Sequence, residues 1–346
     1  MKLIAFAKSL WTQLSEKQNV SVPFLQLPVQ LYDHIATFLA PADIVLLSQT
    51  CRSIRVSLFK HPSGAHLSRA DYFAYLAGMA HGLPDQWVCD YCMALHPVNK
   101  RDTPTAACSP CPCPAESRGP PLHNPCLLRI DHHHVQLALK YTRLQLRKHD
   151  PYLQALLEPR LNSRFRTYAC SYITHEARYS AYPRIAIGSD GNPRFLLFST
   201  WRYIAGGRDL MLHNLGYQWI CPHLEFRGDD YFQHDNDLFR AFRLALHPGG
   251  AGKEWRNACS RCTTDFSVMR CGASLYLRVW QDFGPEGSPL DPVWRSQSTR
   301  PGLDGVENSE GSGPTLYHEP GSIAKLYCGH RVVVSRKKRT PLLRIV

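Results

Sequence analysis

The sequence predicts an α+β protein in which an all-helical amino-terminal module is followed by a mixed α/β region with antiparallel strands and cysteine-knuckle elements. Three observations predict it. Apolar residues at helical spacing run through residues 24 to 60 and again through SRADYFAYLAGMAHGL (68 to 83), with Tyr72, Leu76, Met79 and Leu83 on one side. From Arg164 the texture turns aromatic and β-branched, in RFRTYACSYITHEARYSAYPRIAIG and PRFLLFSTWRYIAG. Paired cysteines punctuate both regions.

The segments follow in order. Residues 1–22 are an amino-terminal extension, 23–61 hold three short helices, and 62–100 hold a further helix and the first CxxC. Residues 101–128 are so dense in Pro and Cys (RDTPTAACSPCPCPAESRGPPLHNP) that they read as a loop. The α+β region proper, 129–284, opens with HHVQLALKYTRLQLRKHD and PYLQALLEP, one or two helices with Pro151 beginning the second. Strands come next, with SDGNP as a turn between two of them. YFQHDNDLFRAFRLALH (231–247) is a helix that ends before HPGGAG, and ACSRCTTDFSVMR and ASLYLRVWQDFG read as strands beside a cysteine pair. Residues 285–322, rich in Gly, Pro and Ser, are expected to be a flexible insert, and 323–346 a terminal strand and basic tail.

A chain of 346 residues with this apolar content can bury a sizeable core. Lys and Arg exceed Asp and Glu by twelve, which favours an acidic partner such as nucleic acid, anionic lipid or an acidic protein surface. The apolar run between Lys2 and Lys8 is too short for a signal peptide, and no later run approaches the roughly eighteen residues of a membrane span. The expectation is a soluble cytoplasmic or nuclear protein. Thirteen cysteines, an odd count, with two CxxC pairs and no export signal fit reduced thiols and metal better than disulfides.

Within LPVQLYDHIATFL, the residues Leu27, Leu31, Ile35, Phe38 and Leu39 form a continuous helical stripe, and Pro28 sits where a missing N–H costs nothing. Pro41 stops that helix, because the residue before a proline is pushed out of the α region, and it begins the next. Asp43 lies in the first turn of that second helix, where a carboxylate complements the dipole. Ile44, Leu47 and Cys51 make the second stripe, and Arg52 and Arg55 precede Leu58 in a third helix. Three helices within roughly forty residues enclose too little interior to hold together alone, so they want a partner surface.

The placement of Leu27-Pro28, Leu31, Ile35, Leu39, Asp43-Ile44, Leu47, Cys51-Arg52 and Ile54 resembles the F-box, the docking module of substrate receptors in SCF-type cullin–RING ubiquitin ligases. Val29-Gln30 departs from it, since the family often has a Glu there. The resemblance implies that Leu27, Pro28, Leu31, Ile35, Leu39, Pro41, Ile44 and Leu47 pack on a Skp-type adaptor, which carries the receptor to a cullin. An ordinary helical hairpin in a larger core is the plainer reading of the same periodicity.

Two cysteine sets have metal-ligand spacing. Cys89 and Cys92 in WVCDYCMALHP, with Cys108 and Cys111 in AACSPC fifteen residues on, have the spacing of a four-thiolate zinc site. Cys113, Cys126 and His123 compete as ligands there, and incidental thiols in a surface loop are the alternative. In the second set, Cys221 and His223 of WICPHLEF would share one side of a strand as i and i+2. Cys259 and Cys262 of ACSRCTTDF, after a gap of thirty-five residues, would complete a Cys3His tetrahedron for zinc. CPHL, the later CxxC followed by TDF, VWQDFGPEGSPLDPVW and RFLLFSTW together are similar to the carboxy-terminal region of a large group of fungal F-box proteins. That resemblance implies that the motifs occur together, and it names no ligand.

Other signals do not rise. HPGGAGKE lacks the Gly at position 247 and the Ser or Thr at 254 that a phosphate loop needs. His132, His133 and His134 are expected to be solvated, SRKKR (335–339) to be a basic tail, and Tyr168, Tyr172, Tyr179, Tyr182 and Trp201 to be core rather than base-stacking residues. No nucleophile–base pattern is legible. The expectation is a non-catalytic adaptor that docks through residues 23–61 and presents a target protein through its remainder. A zinc-containing nucleic-acid-binding protein is the rival reading. A zinc hydrolase would need an open metal position beside a carboxylate such as Asp265 or Glu225.

Overall fold

The computed structural model describes residues 22–58, 67–106, 128–166, 176–205, 209–227, 236–298 and 314–329. The chain divides into two compact units, Met1–Leu83 and Pro84–Val346.

The first unit is helical. A 3-10 turn, Pro23–Gln26, leads into α1 (Val29–Ala36), α2 (Pro41–Ser48), α3 (Arg52–Leu58) and α4 (Arg69–Gly82). The prolines act as the sequence predicts: Pro28 caps α1 from outside the helix, and Ala40 is extended at ψ 153 so that Pro41 can open α2. Tyr32, Ala36, Ile44, Ile54 and Leu58 are the buried core, with Leu25, Leu27, Leu39, Leu47 and Cys51 packed against it. The Tyr32 hydroxyl donates to the Phe24 carbonyl and so ties the 3-10 turn to α1. In α4, Ser68 caps the helix by accepting from the Asp71 N–H at 3.1 Å. Its buried stripe is Phe73, Leu76 and Ala80, which keeps Leu76 of the expected Tyr72, Leu76, Met79 and Leu83 stripe but leaves Tyr72 and Leu83 exposed. The small Ala80 turns inward because a close-packed helix interface has room for it, whereas a tyrosine keeps its hydroxyl in water.

The second unit is built on a six-stranded antiparallel sheet of β3 (Arg160–Arg166), β4 (Glu176–Ile187), β5 (Pro193–Ile204), β8 (Glu254–Ala258), β9 (Thr264–Cys271) and β10 (Ser274–Pro285). Its order, β3-β4-β5-β10-β9-β8, joins two three-stranded meanders through β5 and β10. The SDGNP turn holds as expected: Gly191 sits at φ 78, and the Gly188 N–H donates to the Asn192 carbonyl at 2.8 Å. Two small hairpins stand apart from the sheet, β1 (Gln86–Cys89) with β2 (Ala94–Pro97), and β6 (Tyr217–Cys221) with β7 (Leu224–Arg227). Strand structure around the first cysteine pair was not predicted; four-residue strands are too short to show a period.

Alternation along β5 sends Phe195, Leu197, Trp201 and Tyr203 into one continuous core with α5 (His132–Leu144), α6 (Asp150–Leu156) and α7 (Asp237–Leu246). On the same core face, Trp294 of α8 (Pro292–Ser298) packs against Phe283. The opposite face receives α9 (Ser322–Cys328), whose Tyr327 lies against Phe198 at 5.7 Å. Two expectations are corrected. Helix α8 stands within the segment expected to be flexible, its Trp294 buried, and Ser322–Cys328 is a helix where a strand was expected. The basic tail and residues 1–21 lie outside the described residues.

Helix α7 buries Leu238, Ala241, Phe242 and Ala245, and the chain then folds back through the 3-10 turn Pro248–Gly250. A methyl group on Gly250 would collide with the backbone carbonyl of Leu244, whereas one on Gly249 would meet the His247 ring at an ordinary 3.6 Å. HPGGAGKE is therefore a tight helix terminus. Gly250→Ala is expected to lower unfolding stability by about 1 to 3 kcal/mol through overpacking, and Gly249→Ala to leave it nearly unchanged, as read from thermal melts of both variants.

Candidate functional site

Cys221 ends β6, and Pro222-His223 form the turn into β7, so this turn, and not strand alternation, brings Cys221 and His223 together. Cys259 and Cys262 sit in the tight connection from β8 to β9. There the Cys259 N–H donates to the Thr264 carbonyl at 2.8 Å and the Thr264 N–H to the Cys262 carbonyl at 2.7 Å. The Arg261 N–H points at the Cys259 sulfur at 3.4 Å, the donor geometry a thiolate needs.

One donor atom from each of Cys221, His223, Cys259 and Cys262 lies within 4.8 Å of the others. The three cysteines are buried and free, and His223 is half-buried with its Nδ1 lacking any hydrogen-bond partner. Burial, with the neighbouring thiols, pushes the Cys221 thiol well up, while contacts from Cys221 and Cys262 draw the Cys259 thiol down. The three thiols thus compete for ionisation. A divalent cation would relieve that competition and would give the donor set the four ligands of a closed tetrahedral site. The residues fit such an ion.

The surroundings tie the knuckle to a third segment. The Leu316 N–H donates to the Arg261 carbonyl at 2.9 Å. Asp265 accepts from His318 Nε2 at 3.1 Å and from the N–H groups of Gly321 and Ala324 at 3.0 and 2.9 Å. Glu225 accepts from the Tyr217 hydroxyl at 2.6 Å and from Trp219 Nε1 at 3.1 Å. Both carboxylates considered for hydrolysis already have such partners.

A second cluster joins Cys89, Cys92 and His96, again with donor atoms within 4.8 Å. The Cys92 N–H points at the Cys89 sulfur at 3.4 Å, and β1–β2 pairing carries His96 back beside them, its ring 5.3 Å from that of Trp87. His96 was missed as a ligand, although it stands in sequence as the last residue of a CxxCxxxH spacing. Cys108 and Cys111 lie outside the described residues. Cys92 is disulfide-bonded in this structure, so a metal ion here would need that bond reduced.

Asp102, His133 and His134 form a third cluster, fully buried, which corrects the expectation of solvated histidines. Its chemistry argues against metal. His134 Nδ1 accepts the Asp131 N–H at 3.1 Å, so the neutral ring carries its proton on Nε2, the atom that faces Asp102 Oδ1 at 3.4 Å. A ligating imidazole needs that nitrogen bare and the other one donating. Burial resists ionisation of Asp102, but the His133 hydrogen bond at 3.0 Å and the His134 ring at 3.4 Å outweigh it and hold the carboxyl well below its usual range. The cluster is a hydrogen-bonded knot that fastens the 99–106 turn to α5.

In the first unit Pro28 and Leu31 are exposed, Leu27, Ile35, Leu39, Pro41 and Leu47 are half-buried, and Ile44 is consumed in the unit's own core at 6% exposure. Phe38, a member of the stripe read from the sequence, is exposed at 77%, and Val29 and Val56 are exposed as well. Among the described residues no helix is long and apolar enough to cross a membrane. No family model matches the chain, and no curated protein or solved structure matches it either.

Burial, with the charge of His133, lowers His134 to about 4, and burial foremost lowers His132 to about 3, against an ordinary 6.5. The unfolded chain therefore binds more protons below pH 6.5, and stability is lost as pH falls from 6.5 towards 4, by up to about 1.4 kcal/mol per pH unit for each histidine. Melting temperature is expected to fall across that window. His134→Gln, whose amide can accept from Asp131 and donate to Asp102, should make the fall shallower by about one proton.

Proposed function

We propose that the chain is a substrate-receptor subunit of an SCF-type cullin–RING ubiquitin ligase, docking on a Skp-type adaptor through residues 23–61, with a structural zinc ion held by Cys221, His223, Cys259 and Cys262. The observation that carries the docking is the imbalance of the first unit. Tyr32, Ala36, Ile44, Ile54 and Leu58 make the core of its first three helices, while Phe24, Val29, Leu31, Phe38 and Val56 are left in water at 36%, 46%, 45%, 77% and 66% exposure. Burying one such side chain is worth roughly 1.5 to 3 kcal/mol. Four or five of them on a partner exceed the lower estimates of what association costs.

The role is positional. A receptor raises the effective concentration of a target lysine near the charged conjugating enzyme and performs no chemistry itself. The metal reading agrees with that role: three thiolates and an imidazole suit zinc rather than a hard cation, and four protein ligands leave no position for a reacting water. Such an ion contributes folding energy on the order of 10 kcal/mol.

The test is co-purification of the full chain with a Skp adaptor, beside Leu31→Asp and Cys262→Ser, with zinc measured in each preparation. The intact chain is expected to bring down the adaptor and about one equivalent of zinc. Leu31→Asp should lose the adaptor with its circular dichroism unchanged, and Cys262→Ser should lose the metal and melt lower. An intact chain that captures no adaptor overturns the receptor reading, and zinc that survives Cys262→Ser overturns the assignment of the site.

A further inference from the structure

Cross-strand register sorts the sheet face turned away from α5 and α7 into rows. One row places Arg164, Arg178, Arg202 and Tyr276 side by side across β3, β4, β5 and β10, and it ends at Glu254 of β8. The next row adds Arg278 and Arg256. Neighbouring strands stand about 4.8 Å apart, so five guanidinium side chains spring from a patch a few strands wide. Among the residues whose side chains are described, its carboxylate is Glu254. Arg164, Arg202 and Arg256 are exposed.

The arginines are held in place. Arg202 and Arg278 both lie over the Tyr276 ring, at 5.6 and 6.0 Å. Glu254 bonds Arg256 at 2.6 Å and Arg278 at 3.3 Å, and Arg202 Nε donates to the Ser274 hydroxyl at 3.2 Å. Arg164 and Arg178 have contacts of their own. One carboxylate shared between two guanidiniums leaves most of their donors for a ligand.

We infer that this face docks an acidic protein segment, a run of Asp and Glu side chains lying across the strands. Guanidinium forks match carboxylates bidentately, and the chain's net charge of +12 steers such a segment toward it. A single-stranded nucleic acid would also want exposed rings to stack on, and here the rings are taken. Tyr276 is flanked by its two arginines, and two rows further on Tyr182, Phe198 and Trp280 stack on one another under Tyr327. As a capture site for ligase targets the surface rests on the proposed function; as a carboxylate-binding face it does not.

The experiment is fluorescence anisotropy of a labelled ten-residue glutamate peptide with the full chain, against a neutral Gly/Ser peptide and a single-stranded oligouridine. The acidic peptide is expected to bind, the neutral one not, and affinity to fall about tenfold or more between roughly 50 and 200 mM salt. The double variant Arg202→Ala with Arg256→Ala should weaken binding at least tenfold with an unchanged melting temperature, and Arg202→Glu should weaken it without loss of fold. Both variants should still co-purify with the Skp adaptor, which separates this surface from the docking helices. No binding of the acidic peptide, equal binding by the double variant, or tighter oligouridine binding lost in that variant would overturn the inference, the last by giving the face to nucleic acid.

Discussion

A helix surrounded by protein must bond every polar side chain it carries inward, and α5 imposes that requirement on the whole second unit. It is buried from His132 through Thr142. Gln136 and Lys140, one turn apart, serve together as a partner for the edge of β1: the Val88 N–H donates to Gln136 Oε1 at 3.0 Å, and Lys140 Nζ donates to the Gln86 carbonyl at 2.6 Å. Gln136 Nε2 also reaches the Gly287 carbonyl at 3.1 Å, and the Tyr141 hydroxyl reaches that of Pro84 at the same distance. Burial brings the Lys140 ammonium down to about 8. One helix thereby fastens the β1–β2 hairpin, the turn at Asp102 and the chain beyond β10 to a single sheet. An unbonded amide or ammonium in such a place would cost about 1 to 3 kcal/mol or more.

How much of this was legible follows from which signals are local. The helices of the first unit, the long strands and the SDGNP turn could be read because proline geometry and apolar periodicity act over a few residues. So could the Cys259–Cys262 knuckle. The burial of His132, His133 and His134 could not, because it depends on Asp102, which sequence places some thirty residues away and only the fold brings within 3.0 Å. His96 was hidden differently: it stood in the quoted motif, but a hairpin of four-residue strands leaves no period to announce that the chain returns. Ile44 shows the limit of a stripe, since periodicity marks a residue as apolar-facing without saying whether the face meets its own core or another protein.

The two faces of the main sheet divide their work along the same alternation. Residues such as Phe195, Leu197 and Tyr203 are buried against helices. Their neighbours in sequence, from Arg194 to Arg202, supply ion pairs, stacked rings and guanidinium groups on the other side, including the 2.7 Å bond from Arg194 to the buried Asp282 carboxylate. The aromatic row under α9 separates that inward-looking ion pair from the open arginine rows.

The knuckle at Arg261 also sets where the chain can change length. Cys221-Pro222-His223 and Cys259 through Cys262 are anchors whose donor atoms converge within 4.8 Å, so one residue added inside either would swing a donor atom out of the cluster. The stretches between anchors are under no such rule. Doubling a loop costs only about 0.6 kcal/mol in closure entropy, so connections between packed elements tolerate insertion, whereas β7, α7 and β8, which also lie between the anchors, are held by their packing. Drift in length should therefore collect in those connections, and the short spacings within the anchors should stay as they are.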